Sequence, residues 1–429
     1  MFKIKNYIAL NKEKIKIDSK EIMKGDVFLT LKGKKTHGNN YIADAIKNGA
    51  KYVIVDKIVK KYNNNKSVIV VDDVMNFALS IAKYKRNLFN GVVIGITGSI
   101  GKTSVKENLR HFLSFEHTVS ASIKSYNNYL GVIISLLNMD LKSDFSLFEI
   151  GTNNFSEIQI LSSIVLPSQV IITNIFPTHL EKLINTKNIA NEKSDIFNKR
   201  YNSNIELAIL ANNNFDEKTI INKAKKINEF KILTFGEDAL SNIVIKKIVD
   251  IDSFYSSIFI FYKDKDKDKN INFFLNKNQI HRINNILICL LIFIANNISI
   301  DLFVSMTRKI PLLEGRGLLN KIKINNKEVN FIDESYNASP QTMKTAVDFF
   351  NDIKTNAKQK KFLILGEMNE LGSNALNFHI DLLNYITSKK IENVIICGEL
   401  MKIALKKTVN IKILCIMDFK KILELLKKL

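Results

Sequence analysis

Apolar residues occur in short runs along the chain, and their spacing changes repeatedly between the two-residue period of a strand and the longer helical period. After residue 89 the two patterns alternate, apart from a polar, strand-like stretch at 230–275. Such alternation predicts a parallel sheet with helices on both faces. The amino-terminal part is predicted to contain one helix and three strands, at 41–50 and at 27–33, 51–56 and 67–72.

The same pattern divides the chain into three predicted domains and gives the fold class α/β. Residues 1–88 form a small α/β domain, 89–312 a central domain with a parallel sheet, and 313–429 a Rossmann-like C-terminal domain. The segment EGRG, at 314–317, is predicted to be a hinge between the last two domains. The alternating charges of KDKDKDK, at 263–269, predict an exposed turn between two strands.

Composition and the lengths of the apolar runs indicate the cellular compartment. The chain has 429 residues, of which 46% are hydrophobic, enough to bury sizeable cores. No apolar run reaches the ~18 residues of a membrane span, and the longest run, 286–295, predicts a buried helix. The amino terminus lacks the continuous apolar region of a signal peptide, and the three cysteines are far apart. We therefore expect a cytoplasmic protein without stable membrane insertion.

The net charge of +21 comes mainly from lysines that are scattered along the chain, with only six arginines. A nucleic-acid interface clusters its basic residues on one face and adds aromatic positions for stacking. We therefore expect no nucleic-acid partner, although a nucleic-acid-dependent NTPase stays open as an alternative. The same charge favours the attraction of anionic substrates.

The chemical motif that dominates the sequence is TGSIGKTS, at 97–104, between an apolar strand and a helical segment. Glycines let backbone N–H groups point inward, and the helix N-terminus adds partial positive charge. Lys102 is expected to reach the outer phosphates, and the Thr103 hydroxyl to bind Mg²⁺. The loop is a shortened Walker variant, since Ile96 stands where that pattern has glycine. We expect ATP or GTP to be bound by Gly98, Ser99, Ile100, Gly101, Lys102, Thr103 and Ser104.

Polar residues also follow two later strands. Glu149 ends one apolar strand and His179 lies just past another. Because the carboxyl ends of parallel strands face the ligand crevice, Glu149 is a candidate Mg²⁺ ligand and His179 a candidate ligand in the same layer. The alternatives are a solvated strand-end carboxylate and a structural histidine. Lys193, on an amphipathic helical segment, has by itself the pattern of a surface lysine.

Together these motifs resemble the Mur ligases, the ATP-dependent amide ligases of cell-wall precursor synthesis, over nearly the whole chain. Glu149 matches the family's glutamate after the next strand, His179 the histidine of an NxxxxHL motif, and Lys193 a lysine carbamylated by CO₂. The resemblance implies two Mg²⁺ ions, one held by Thr103 and Glu149 and the other by His179 and the carbamate on Lys193. It implies catalytic roles for Lys102, Glu149, His179 and Lys193.

The resemblance extends to residues near the nucleotide. The helix at 280–295 is similar to the family's HNxxNxxAA segment, which implies that Asn285 lies near adenine. Arg282 departs from this pattern, which has asparagine there. Arg316 matches the linker arginine that contacts phosphate when the C-terminal domain closes. Asp333 is implied among the nucleotide-binding residues, and Asp333 and His179 are candidates to accept the amine proton.

Substrate-binding motifs resemble one branch of the family. FIDESYNASP, at 331–340, is similar to the D-D-x-Y-N-A-N-P pattern of the member that adds D-alanyl-D-alanine to UDP-N-acetylmuramoyl-tripeptide, with Glu334 and Ser339 as departures. ILGEMNELG, at 364–372, is similar to that member's LGDMxELG. The resemblance implies substrate contacts by Ser19, Lys20, Asn127, Asn128, Tyr336, Asn337 and Ser339.

The activity implied by the resemblance is ATP-dependent joining of D-alanyl-D-alanine to UDP-N-acetylmuramoyl-tripeptide through an acyl phosphate, by a monomer. A sister ligase of the Mur or folylpolyglutamate type is an alternative. The family's terminal GDxxLxKGS segment has no counterpart before Leu429, so we expect a C-terminal sheet that is shortened or completed in another way. A degenerate, non-catalytic nucleotide-binding protein is therefore a further alternative.

Overall fold

The computed structural model describes most of the chain, and every structural statement below concerns these described residues. They are 2–10, 14–33, 36–57, 59–252, 254–263, 268–325, 327–353, 355, 359–408, 413–415 and 419–428.

The amino-terminal part contains a four-stranded, fully parallel sheet in the order β1-β2-β3-β4. Its strands are β1 (Ile15–Lys16), β2 (Val27–Leu29), β3 (Tyr52–Val55) and β4 (Val68–Val70). Its helices are α1 (Phe2–Leu10), α2 (Ile42–Lys47) and α3 (Val74–Leu88). The predicted helix and three strands in this region are therefore confirmed.

A nine-stranded sheet forms the centre of the molecule, in the order β13-β12-β11-β10-β9-β8-β5-β7-β6. Its strands are β5 (Val92–Thr97), β6 (Val119–Ala121), β7 (Phe145–Glu149), β8 (Gln169–Ile172), β9 (Leu207–Ala211), β10 (Lys231–Phe235), β11 (Ile243–Asp250), β12 (Tyr255–Tyr262) and β13 (Lys269–Asn276). Strands β5 to β10 are parallel, whereas β11, β12 and β13 form an antiparallel extension. Of the predicted turn at 263–269, residues 264–267 lie outside the described residues.

Helices cover both faces of this sheet, as the alternating pattern predicted. They are α4 (Lys102–Leu113), α5 (Tyr129–Leu137), α6 (Glu157–Val165), α7 (Leu180–Leu183), α8 (Thr186–Ser194), α9 (Phe215–Ile227), α10 (Ile283–Ala295) and α11 (Ile300–Met306). One core contains residues of α4, α10 and α11, and the other joins α5, α6, α8 and α9 to α1 and α3. By length and composition 277–295 is apolar enough to cross a membrane, but α10 is buried in the first core.

The C-terminal part contains a hairpin and a three-stranded parallel sheet, β16-β17-β18. Its strands are β14 (Leu318–Ile324), β15 (Lys327–Asp333), β16 (Leu363–Leu365), β17 (Val394–Ile396) and β18 (Ile413–Cys415). Its helices are α12 (Pro340–Asp352), α13 (Ala375–Ser388), α14 (Glu399–Lys407) and α15 (Phe419–Lys428). Helix α12 begins with a capping box between Ser339 and Thr342, and Pro340 fits its first turn.

Two buried cations at the end of α3 attach this helix to the central domain. Lys85 Nζ donates to the Leu137 carbonyl at the end of α5, at 2.7 Å. Arg86 Nε and Nη2 donate to the carbonyls of Val165 and Leu166 at the end of α6, each at 2.6 Å. Burial lowers the pKa of Lys85 to about 8, and it also lowers the pKa of Arg86. Both cations therefore satisfy the free carbonyls at helix C-termini, where positive charge is favourable.

Replacing Arg86 with alanine is expected to lower the free energy of unfolding by about 2–4 kcal/mol, because buried carbonyls lose charged donors. Urea denaturation followed by circular dichroism measures this change. Lys83→Ala is the matched control, since Lys83 is exposed on the same helix and should leave the transition unchanged. Equal transitions for the two variants would contradict the capping role of Arg86.

Candidate active site

The predicted phosphate loop connects the end of β5 to the start of α4. Gly98 and Gly101 have φ values of +140° and +89°, in the range that favours glycine. A Cβ on Gly98 would lie 1.9 Å from Thr173 Oγ1, and one on Gly101 would lie 2.8 Å from Asn285 Oδ1. Backbone conformation therefore favours glycine at both positions, and the close approach of Thr173 requires it at Gly98 as well. Asn285, which the resemblance places near adenine, lies beside the loop.

The loop is held in shape by the segment that follows β8. Asn174 Oδ1 accepts from the Ile100 N–H at 2.9 Å, and Asn174 Nδ2 donates to the Ile100 carbonyl at 3.0 Å. Ser99 Oγ donates to the Phe176 carbonyl at 2.9 Å and accepts from the Phe176 N–H at 3.0 Å. The Ile100 amide and the Ser99 hydroxyl thus shape the loop, although both residues were predicted to bind phosphate.

Lys102 is half-buried at the first position of α4. Its Nζ donates to the carbonyls of Gly98 at 2.7 Å and Ser99 at 3.2 Å. Burial lowers the pKa of Lys102, the Glu149 carboxylate raises it, and Arg316 lowers it. Lys102 is therefore within electrostatic reach of both the strand-end glutamate and the linker arginine.

A cluster of oxygen atoms lies beside the start of α4. Thr103 Oγ1 donates to Glu149 Oε2 at 2.7 Å and lies 3.1 Å from Ser125 Oγ. Asn127 Nδ2 donates to the other carboxylate oxygen of Glu149, Oε1, at 2.7 Å. Glu149 is only 2% exposed. A buried carboxylate beside a hydroxyl offers the oxygen ligands that Mg²⁺ prefers.

Buried Lys106 fixes the segment that carries Ser125 and Asn127. Its Nζ donates to the carbonyl of Ser122 at 2.7 Å, contacts the carbonyl of Lys124, and pairs with Glu107 at 3.1 Å. Sequence reasoning missed Lys106, Ser125 and Asn174. Asn174 was detectable, because it follows β8 as Glu149 ends β7, and these two strands flank β5 in the sheet.

His179 and Lys193 lie near Lys102. Burial lowers the pKa of His179, Glu370 raises it, and both Lys193 and Lys102 lower it. Lys193 is 1% exposed, and burial, reinforced by Lys102 and opposed by Glu192, lowers its pKa well below the usual range. Within the described residues, its ammonium has no hydrogen-bond or ion-pair partner. Lys193 is thus a buried amine near the phosphate loop and not the surface lysine of the local pattern.

The third domain reaches the loop through two residues. Arg316 Nη1 donates to Ser104 Oγ at 3.2 Å, and its guanidinium carbon lies 4.1 Å from the centre of the Tyr336 ring. The Tyr336 hydroxyl also contacts Ser125 Oγ. The linker arginine and the predicted substrate residue Tyr336 therefore lie together at the edge of the loop.

An ion pair between two departures from the family pattern supports this junction. Arg282 Nη2 lies 2.6 and 2.8 Å from the two carboxylate oxygens of Glu334, and Arg282 Nη1 donates to the Arg316 carbonyl. The side chains of Arg282 and Glu334 are 20% and 29% exposed. Arg282 therefore connects the start of α10 to the linker and to the third domain.

Other predicted residues are tied to local structure. Asp333 Oδ1 accepts from the Ser335 N–H at 2.9 Å, and Asn337 is exposed. Asn128 caps α5, because its Oδ1 accepts from the Gly131 N–H at 2.9 Å. Ser339 caps α12 in the same manner.

The two predicted substrate residues of the first domain stay in that domain. Ser19 is buried, and its carbonyl accepts from Asn48 Nδ2 at 2.9 Å, whereas Lys20 is exposed. No hydrogen bond in the described part of the chain joins Ser19 or Lys20 to the phosphate loop at 97–104. Within the described ranges, no group of three or more His, Cys, Asp or Glu side chains could hold a metal ion.

Comparison with known proteins identifies the family. The profile described as the Mur ligase middle domain matches residues 96–293, and that described as the Mur ligase family, catalytic domain, matches 13–86. The UDP-N-acetylmuramoyl-tripeptide--D-alanyl-D-alanine ligase of Rickettsia prowazekii (strain Madrid E) is 33% identical over 403 residues, which cover 92% of this chain and 84% of that protein. The chain belongs to the Mur ligase family.

Solved structures show the Mur ligase fold as well. Crystal structure I of MurF from Acinetobacter baumannii matches with a TM-score of 0.80 at 24% identity, covering 97% of this chain and 86% of that one. The MurF ligase from Thermotoga maritima in complex with ADP matches with a TM-score of 0.75 at 22% identity, covering 98% of each chain. The predicted three-domain α/β fold with a central parallel sheet is therefore confirmed.

Arg282→Met and Glu334→Gln are expected to be non-additive, with a coupling of about 1–3 kcal/mol in the free energy of unfolding, because each single variant leaves a partly buried charge unpaired. A double-mutant cycle in urea measures this coupling. The control pair is Lys321 with Glu328, 2.8 Å apart on the exposed face of the β14–β15 hairpin, which should couple less. Additive effects at 282 and 334 would show that the pair does not stabilise the junction.

Proposed function

We propose that this chain is an ATP-dependent ligase that joins D-alanyl-D-alanine to UDP-N-acetylmuramoyl-tripeptide in peptidoglycan precursor synthesis. The similarity to the Rickettsia ligase over 92% of the chain carries the assignment. The Mur ligase of Bacillus subtilis (strain 168) with the same name supports it, at 24% identity over 89% of the chain. The clustering of Lys102, Glu149 and Arg316 at one sheet edge supports a working site.

ATP fits the phosphate loop through the start of α4. The helix N-terminus favours negative charge, and Lys102 is positioned to exchange its loop carbonyls for phosphate oxygens. Arg316, from the linker, approaches the same loop through Ser104. Asn285, beside Gly101, is proposed to contact the nucleotide. The ADP bound by the Thermotoga ligase of the same fold is consistent with this use of the loop.

Mg²⁺ fits the oxygen pair formed by Thr103 and Glu149, whose Oγ1 and Oε2 are 2.7 Å apart. Asn127 would orient the glutamate through its hydrogen bond to Oε1. When bound, the metal neutralises the phosphates and the substrate carboxylate, which otherwise repel one another. The protein itself keeps the Glu149 carboxylate buried and fixes the orientation of its oxygens.

Lys193 is proposed to carry a carbamate. The burial that lowers its pKa favours the neutral amine, which is the form that attacks CO₂. The nitrogen lone pair forms the N–C bond, one C–O π bond becomes the carboxylate, and a proton leaves to solvent. The product is an anion, so the Lys102 charge, which destabilises the ammonium, would stabilise the carbamate. The carbamate oxygens and His179 are the ligands proposed for a second Mg²⁺.

The reaction follows from placing two anions together. The terminal carboxylate of the tripeptide attacks the γ-phosphorus of ATP, which gives an acyl phosphate and ADP. The amine of D-alanyl-D-alanine then attacks the acyl carbon, phosphate leaves, and the amine proton passes to a base. Positioning and charge neutralisation by Lys102 and Arg316 are the main contributions of the enzyme, since phosphoryl transfer needs little covalent help. Positioning of this kind supplies roughly 7–11 kcal/mol.

The three domains divide the substrates in this proposal. Ser19 and Lys20 in the first domain, 1–88, are proposed to lie near the uridine nucleotide. The third domain, 313–429, is proposed to bind the dipeptide, with Tyr336 at its contact with the central domain, 89–312. The monomeric state, the cytoplasmic location and the roles of Asn128, Asn337 and Ser339 stay predictions from the sequence.

Incubation of the full-length protein with ATP, UDP-N-acetylmuramoyl-tripeptide and D-alanyl-D-alanine is expected to yield the pentapeptide product, ADP and phosphate. Mass analysis identifies the product, and omission of each substrate is the control. A product formed with a different amino acid in place of the dipeptide would assign a sister ligase. ATP binding without any product would assign a non-catalytic protein.

Lys193→Ala is expected to lower the ligation rate by about 100-fold or more, because it removes a ligand of the second Mg²⁺ and the substrate positioning that this ion would provide. Short carboxylic acids should restore part of the rate by standing in for the carbamate. The matched control is Lys187→Ala, an exposed lysine on the same helix, which should keep the full rate. A Lys193→Ala enzyme with the full rate would exclude the carbamate.

A further inference from the structure

A turn of the third domain packs directly on the segment that carries His179. Glu370 Oε2 lies 2.5 Å from His179 Nδ1, and the Glu370 carbonyl accepts from the Glu181 N–H at 3.2 Å. A Cβ on Gly372 would lie 3.3 Å from the backbone of Glu181. Two hydrogen bonds therefore join the 370–372 turn to 179–181, and the backbones approach closely at Gly372.

The backbone on both sides of this contact is specialised. His179 and Glu370 have φ values of +55° and +62°, which residues other than glycine adopt rarely and at a cost. In each case this conformation accompanies a side chain directed toward the other domain. Two such residues that meet each other across a domain boundary indicate that the contact is built into the fold.

The chemistry of the pair fixes the hydrogen on the imidazole ring. An ionised carboxylate only accepts hydrogen bonds, so Nδ1 of His179 must donate to Glu370. A neutral imidazole with its hydrogen on Nδ1 has its lone pair on Nε2. A partner carboxylate of this kind orients a metal-binding histidine and increases its basicity.

We propose that Glu370 is a positioning residue that presents Nε2 of His179 to the metal site only when the third domain is closed on the central domain. This inference rests on the proposed function, because it assigns His179 to a metal. It adds a residue that the phosphate-loop motifs do not include. Closure of the third domain would then complete the site on the central domain.

The test uses the full-length protein without metal, labelled with ¹⁵N in its histidines. At mildly alkaline pH, the ring nitrogen shifts of His179 should show the hydrogen on Nδ1 in the parent protein. Glu370→Ala should move the hydrogen toward Nε2, which free imidazole side chains prefer, and Glu370→Gln should give an intermediate result. The chain has six histidines, and the His179→Gln variant assigns the signal.

Glu181→Ala is the control, because it removes an exposed carboxylate from the same contact without touching the imidazole. It should leave the His179 shifts unchanged. In the ligation assay, Glu370→Ala should raise the Mg²⁺ concentration for half-maximal rate by about 10–100-fold, and Glu181→Ala should not.

Unchanged His179 ring shifts in Glu370→Ala, or a parent protein with its hydrogen on Nε2, would overturn the inference even if ligation proceeds. Absence of product in the parent protein would instead overturn the proposed function, and the ring shifts would still report on Glu370. Because the Glu370 side chain is 50% exposed, its replacement should leave the fold intact, which circular dichroism verifies.

Discussion

The site depends on the alignment of three neighbouring parallel strands, whose carboxyl ends meet at one edge of the central sheet. β5 leads into the phosphate loop, β7 ends in Glu149, and the segment after β8 holds the loop through Asn174. The register of these strands brings a hydroxyl, a carboxylate and an amide together. Their mutual distances follow from the backbone pairing of these strands.

A second property of the molecule is the way it buries positive charge. Lys85, Arg86, Lys102 and Lys106 each donate to backbone carbonyls, so their charges are solvated by the protein itself. Lys193 differs, since its ammonium has no such partner among the described residues. An unpartnered buried ammonium is costly. That cost explains why burial lowers the pKa of Lys193 well below its usual range.

The third domain contacts the loop region on two sides. On one side Arg282 holds Glu334 and the Arg316 carbonyl, and Tyr336 packs under the Arg316 guanidinium. On the other side Glu370 meets His179. These contacts are polar and partly exposed. Such contacts are typical of a domain that opens and closes, whereas a permanently packed domain has a larger and more apolar interface.

The sequence by itself determined α2 and strands β2 to β4 of the first domain, the phosphate loop and the strand-end position of Glu149, because periodicity and glycine placement are local properties. Helices α1 and α3 and strand β1 of the same domain were not predicted. It also predicted the three-domain fold through its resemblance to the Mur ligases. Tertiary structure alone decided that Lys193 is buried, that Arg282 pairs with Glu334, and that Glu370 meets His179. Each of these depends on residues that are distant in the chain, and local patterns carry no information about which distant charges will face one another.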